Sequence, residues 1–80
     1  MKRIEVRVPE LELADVPIAL SLWHVEPGSS VSEGDWLVEL VAGPVVIDIP
    51  SPASGKLVEA LAGEDDELRV GQVVAVVEEE

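Results

Sequence analysis

Apolar residues recur at every second position along much of this chain, and that spacing argues against a helical protein. Ile4, Val6 and Val8 alternate with Glu5 and Arg7; Ile18, Leu20 and Leu22 with Ala19 and Ser21; Val45, Ile47 and Ile49 with Val46 and Asp48. Period two puts one face of an extended strand on a core and the other in water, whereas an amphipathic helix repeats about every 3.6 residues. The abundant valine and isoleucine suit a pleated surface, because branching at Cβ stiffens the side chain there at little cost. Turn residues punctuate the pattern at Pro9, Pro17, Pro27-Gly28, Gly34-Asp35, Gly43-Pro44, Pro50 to Gly55, Gly63 and Gly71. Short strands between such turns predict a sandwich or barrel. The nearest thing to a helix is Ala60 to Leu68, and Gly63 with the acidic run Glu64 to Glu67 argues against it.

The chain also repeats itself. Val31-Ser32-Glu33-Gly34-Asp35-Trp36-Leu37-Val38 and Leu68-Arg69-Val70-Gly71-Gln72-Val73-Val74-Ala75 share an apolar-x-x-Gly-x-x-apolar-apolar pattern, with Gly28 of the first copy matched by Asp65 of the second. A half of this size cannot bury its own apolar face, so two halves must interlock, and pseudo-twofold symmetry is expected.

Eighty residues make one domain, taken as 1–80, with a small core. With no Phe, Tyr or Cys, that core is aliphatic, supplemented by Trp23 and Trp36, and no disulfide or thiol chemistry is available. Five basic against 17 acidic residues give a formal net charge of −12. That field repels phosphate backbones and anionic lipid, so neither nucleic acid nor a membrane surface is an expected partner. A basic protein partner would fit; solubility alone also accounts for an acidic surface. No apolar run is long enough to span a membrane and no signal-peptide pattern opens the chain, so the cytoplasm is the default expectation.

Taken in order, several short motifs resemble the lipoyl domain of the acyltransferase chains of 2-oxo acid dehydrogenase complexes. They are Val8-Pro9, Trp23-His24-Val25-Glu26-Pro27-Gly28, Val31-x-x-Gly34-Asp35-x-Leu37-x-Glu39, Ile49-Pro50-Ser51-Pro52-x-Ser54-Gly55 and Val70-Gly71-Gln72-x-Val74-Ala75. The likeness runs from about residue 3 to residue 78. The related biotinyl domains look less similar, because their Met-Lys-Met attachment motif is missing. The resemblance implies an all-β fold, a flattened barrel of two antiparallel sheets related by a pseudo-twofold axis (a barrel-sandwich hybrid). It also implies a hairpin whose tip carries a lysine in a Thr-Asp-Lys-like context, to which lipoic acid is attached as an amide and from which it swings between active sites.

Here the sequence departs from the family. Aligned without insertion, Ala42, Gly43 and Pro44 fall where the family has Thr, Asp and Lys, with Val45 following. Pro44 has no amine and cannot form the lipoyl amide. In a two-residue loop, Gly then Pro predicts a type II′ turn, because only the first central residue needs positive φ and proline holds the second near −65°; a cis Gly43-Pro44 bond in a type VI turn is the other arrangement. The two lysines, Lys2 and Lys56, lie away from this tip, and family members often have an unmodified lysine at the position of Lys56.

The remaining candidates point to no catalysis. His24 is the lone histidine, without a Ser, Cys or carboxylate constellation at a recognisable spacing, and is expected on a solvent-facing strand position. Trp23 is expected in the core and Trp36 partly exposed. Glu64-Asp65-Asp66-Glu67 lacks the spacing of a calcium loop and is expected to be a solvated turn in which Asp65 takes the left-handed conformation; Glu78-Glu79-Glu80 is expected to fray. No metal set and no cofactor is assigned. The expected function is thus a non-enzymatic, lipoyl-like domain that cannot be lipoylated at its tip. It would serve as a protein-interaction or scaffold module related to 2-oxo acid dehydrogenase complexes, with a complex component as partner and the Pro9 to Pro17 loop as a docking candidate. The alternative is a carrier domain, lipoyl or biotinyl, whose attachment tip was lost or engineered away, or one modified at another lysine.

Overall fold

Each period-two segment is a strand. In the computed structural model, which describes residues 2–11 and 16–80, the order is β1 (Lys2–Arg7), β2 (Ile18–Trp23), β3 (Ser30–Val31), β4 (Trp36–Ala42), β5 (Val45–Pro50), β6 (Gly55–Ala60), β7 (Glu67–Leu68) and β8 (Val73–Glu79). No helix occurs among these residues, and Ala60 to Leu68 is a strand end, a turn and the short β7. Part of the Pro9 to Pro17 docking candidate, residues 12–15, lies outside the described residues.

All pairings are antiparallel and form two four-stranded sheets, β1-β8-β6-β3 and β5-β4-β2-β7. Exchanging the first four strands for the last four converts one order into the other. The pseudo-twofold also holds at the level of single hydrogen bonds. The Gly28 N–H donates to the Leu57 carbonyl and the Asp65 N–H to the Leu20 carbonyl; Gly34 donates to Ser51 and Gly71 to Val8; His24 donates to Leu37 and Leu61 to Val74. Asp65 has φ +69 where Gly28 has +95, so the second half makes the same left-handed corner with an aspartate, a residue whose short polar side chain tolerates it. The acidic turn is further held by the Asp66 carboxylate, which accepts from the Gly63 N–H at 2.8 Å.

Between the sheets lies one aliphatic core. Leu20, Leu37, Val38, Leu40, Leu57, Val74 and Val77 are fully buried, with Val6, Val8, Ile18, Val31, Ile49 and Leu68 around them. Trp23 packs on its edge, half-buried, and its Nε1–H donates to the Ala62 carbonyl at 2.9 Å. Trp36, more than half exposed, stays outside.

Two expectations change. The β2–β4 register slips between Leu20 and Leu22, so Leu20 faces Leu40 inside while Leu22 pairs with Glu39 and Trp23 with Val38. A bulge reverses the alternation, puts Leu22 on the outer face and swings Trp23 inward, because one extra residue shifts every following side chain to the opposite face. The C-terminal glutamates do not fray as expected. Glu78 and Glu79 lie in β8, paired on both sides by β1 and β6, and the Glu80 N–H donates to the Ser54 carbonyl. Arg3 neutralises part of their charge, standing 3.4 Å from Glu78 and 3.6 Å from Glu59.

The corner after β5 is built on Ser51, a buried polar side chain whose hydroxyl donates to the Ala53 carbonyl at 2.7 Å. Ser51→Ala is expected to lower stability by about 1–2 kcal/mol, since the carbonyl then stays buried with one partner fewer. Chemical denaturation with an unchanged m-value would measure it.

Candidate functional site

The β4–β5 hairpin is the feature the sequence singles out. Its ladder runs from Trp36 opposite Pro50 through Val41 opposite Val46 to Ala42 opposite Val45, leaving Gly43 and Pro44 as a two-residue turn. Gly43 has φ +58 and the Gly43–Pro44 bond is trans. Positive φ at the first central position, followed by proline's fixed negative φ, defines the expected type II′ turn and excludes type I′, which needs positive φ at both. Side chains become more exposed toward the tip: Ile49 is buried, Ile47 half-buried, Val45 and Val46 exposed, as are Gly43 and Pro44, while Ala42 is buried. The tip therefore presents a tight, apolar two-residue turn, with no amine, thiol, hydroxyl or carboxylate side chain at residues 42–46. Neither lysine is near it in the chain's path. Lys2 opens β1, and Lys56 stands in β6 beyond the corner at the other end of β5, roughly 17 Å of strand away from the turn at about 3.4 Å per residue.

A second grouping is only partly legible from spacing in the sequence. On the outer face of the β5-β4-β2-β7 sheet, Glu39 of β4 stands directly opposite Asp48 of β5. His24, just past the end of β2, reaches across β4, and its Nε2 lies 2.9 Å from an Asp48 carboxylate oxygen. One donor atom from each of the three residues lies within 4.8 Å of the other two. The side chains of His24 and Asp48 are each about two-thirds buried, at 33% and 34% exposure. The lone histidine thus has carboxylate company, contrary to the reading from spacing. The Glu39–Asp48 pair was available in principle by counting back from the two-residue turn. The histidine was not, because its position depends on the β2 bulge. No nucleophile joins the three among the short contacts of the described residues.

Residues 4–77 match the family model described as "Biotin-requiring enzyme", the biotin/lipoyl attachment model. The chain belongs to this biotin/lipoyl family. Among its relatives, a dihydrolipoyllysine-residue succinyltransferase component of the 2-oxoglutarate dehydrogenase complex from Staphylococcus saprophyticus is 40% identical over 75 residues, which is 94% of this chain and 18% of that protein. The dihydrolipoyllysine-residue acetyltransferase component of the pyruvate dehydrogenase complex from Corynebacterium glutamicum is 37% identical over 71 residues, 89% of this chain and 10% of that protein. The chain thus spans less than a fifth of the length of these two relatives. The solution structure of the lipoyl domain of the 2-oxoglutarate dehydrogenase complex from Azotobacter vinelandii superposes with a TM-score of 0.80 at 22% identity, covering 95% of this chain and 96% of that one. The all-β, two-sheet architecture expected from the sequence is therefore that of the lipoyl domain.

Proposed function

We propose that this domain is a lipoyl-type carrier fold without an attachment lysine at its hairpin tip. It would act as a non-catalytic protein-interaction or scaffold module of a 2-oxo acid dehydrogenase complex. The observation that carries the reading is the Gly43-Pro44 turn: Pro44 takes the position of the lipoyl-lysine, and its nitrogen is locked into the main chain as a tertiary amide. No lipoyl amide can form there. Support for the partner class comes from the relatives, which are named as components of dehydrogenase complexes. The rest of the domain keeps its carrier-like frame, and beyond a bulge between Trp36 and Val38 the register runs unbroken from Val38 opposite Ile49 to Ala42 opposite Val45.

The chain, expressed with a lipoate ligase and supplied with lipoate, is expected to show an intact mass equal to that of the unmodified polypeptide. An increase of one lipoyl group would overturn the reading, and peptide mapping would then place the group on Lys2 or Lys56. The unbroken register beside the turn also favours a second reading, a carrier domain that lost only its tip. Restoring a lysine at the turn separates the two.

A further inference from the structure

We propose that His24, Glu39 and Asp48 form a three-ligand site for one divalent transition-metal ion of the zinc type, independent of the hairpin tip. Glu39 and Asp48 come from adjacent strands of one sheet and His24 from the residue just past the end of the next strand, so the pairing that builds the sheet also brings their donor atoms together.

The pseudo-symmetry shows that the fold does not require these residue types. His24 donates its backbone N–H to Leu37 as Leu61 does to Val74, and Glu39 opposes Asp48 as Val76 opposes Glu5. The same backbone frame in the other sheet therefore holds Leu61, Val76 and Glu5: one carboxylate and two apolar side chains. Charge compensation differs too. On that other face Arg3 pairs with Glu59 and Glu78, and Arg7 with Glu5. The position equivalent to Arg3 is Val46, since Val41 opposes Val46 as Glu78 opposes Arg3. Among the described residues, neither Glu39 nor Asp48 has an arginine or lysine partner; Asp48 meets only His24. Two carboxylates directly opposite on neighbouring strands repel each other. A divalent cation converts that repulsion into ligation.

The donor set selects the ion. One imidazole nitrogen and two carboxylate oxygens suit zinc and its neighbours, whereas calcium takes six to eight oxygens and magnesium a strict octahedron of them. Bonds of about 2.0–2.2 Å bring ligand atoms to roughly 3–3.6 Å from one another. His24 and Asp48 are at 2.9 Å in a direct hydrogen bond and all three donor atoms lie within 4.8 Å of one another, so a metal would replace that hydrogen bond after side-chain rotations of all three residues, with no change in the strands. Three protein ligands leave a coordination position for water or for a group from a partner.

The test titrates the intact domain with Zn2+, Co2+ and Mg2+ in 0.5 M salt, which screens diffuse attraction to the acidic surface. Zn2+ and Co2+ are expected to saturate at one equivalent and Mg2+ not to bind. His24→Leu and Glu39→Val, which copy the residues the other half carries at these places, are expected to keep the fold by circular dichroism and to weaken Zn2+ binding by about tenfold or more. Unchanged affinity in either folded variant overturns the site. A measurement on the unaltered chain does not depend on the variants folding: Zn2+ should shift the single imidazole's Nε2 resonance and the side-chain carboxyl carbons of Glu39 and Asp48. Shifts confined to residues 64–67 or to the C-terminal glutamates would equally overturn it.

Discussion

A chain carrying Gly43→Asp and Pro44→Lys together is expected to take up one lipoyl group from a lipoate ligase where the parent takes up none. The double change is chosen on backbone grounds. With Pro44 alone replaced, Gly43 would keep its turn but the flanking side chain of the family's attachment context would be missing. With Gly43 alone replaced, an aspartate would be forced into the first position of a II′ turn, a conformation few residues but glycine adopt. Removing the proline frees φ at residue 44, and the hairpin can then close as type I′, where Asp is among the better tolerated residues. A Cβ at residue 43 would stand 3.4 Å from a methyl of Val16, a contact that needs only a slight adjustment. Left-handed backbone at two non-glycine positions should lower stability by about 1–3 kcal/mol, and the ladder from Trp36 to Ala42 should survive it. Intact mass reads the result. Uptake by the double variant supports a frame that differs from a carrier only at its tip. A folded but unmodified double variant would place the divergence elsewhere on the surface and weaken the lost-carrier reading.

The second large effect is on stability. Gly55→Ala is expected to cost about 3 kcal/mol or more, lowering the melting temperature by on the order of 12–24 °C for a domain of this size. Gly55 opens β6 between Glu79 of β8 and Val31 of β3, and a Cβ there would land on the backbone carbonyl of Glu78. That obstacle is main chain in the middle of a ladder, so it cannot move aside as a flexible side chain would. Native stabilities of this size class are only about 5–15 kcal/mol, so the change should remove a large share of the total. Gly63→Ala is the control. Gly63 is exposed, its φ is not in the left-handed region, and the nearest atom to a new Cβ is a side-chain oxygen of Asp66 at 3.8 Å. Its effect should stay within about 0.5 kcal/mol. Thermal unfolding of both variants checks the contrast, and equal melting temperatures would refute this account of Gly55.

The lesson for reading such a chain lies in which features are local. Alternation in Ile4 to Val8 and Val45 to Ile49 reports burial directly, because side chains on successive residues of a strand point to opposite faces. The repeat around Gly34 and Gly71 announces two matching corners, since each needs a residue with positive φ at the same place. The turn at Gly43-Pro44 is set by two residues alone. All of these were legible. The fate of Leu22 and Trp23 was not, because the bulge in β2 is decided by what β2 must pair with and cover, and nothing in Ser21 itself marks it. The pairing of Glu78 and Glu79 is not local either: an acidic stretch looks solvated until β1 and β6 claim it from both sides.

From the sequence alone follow the all-β class, the interlocking halves, the aliphatic core and a hairpin tip without an amine. Each of these depends on residue chemistry or on neighbours within a few positions. Only the tertiary structure brought His24, Glu39 and Asp48 onto one face and put Gly55 against the Glu78 carbonyl. Those juxtapositions join residues 9 to 24 positions apart on one sheet, and strands β6 and β8 on the other. Strand register and one bulge set them, and both are properties of the paired sheet.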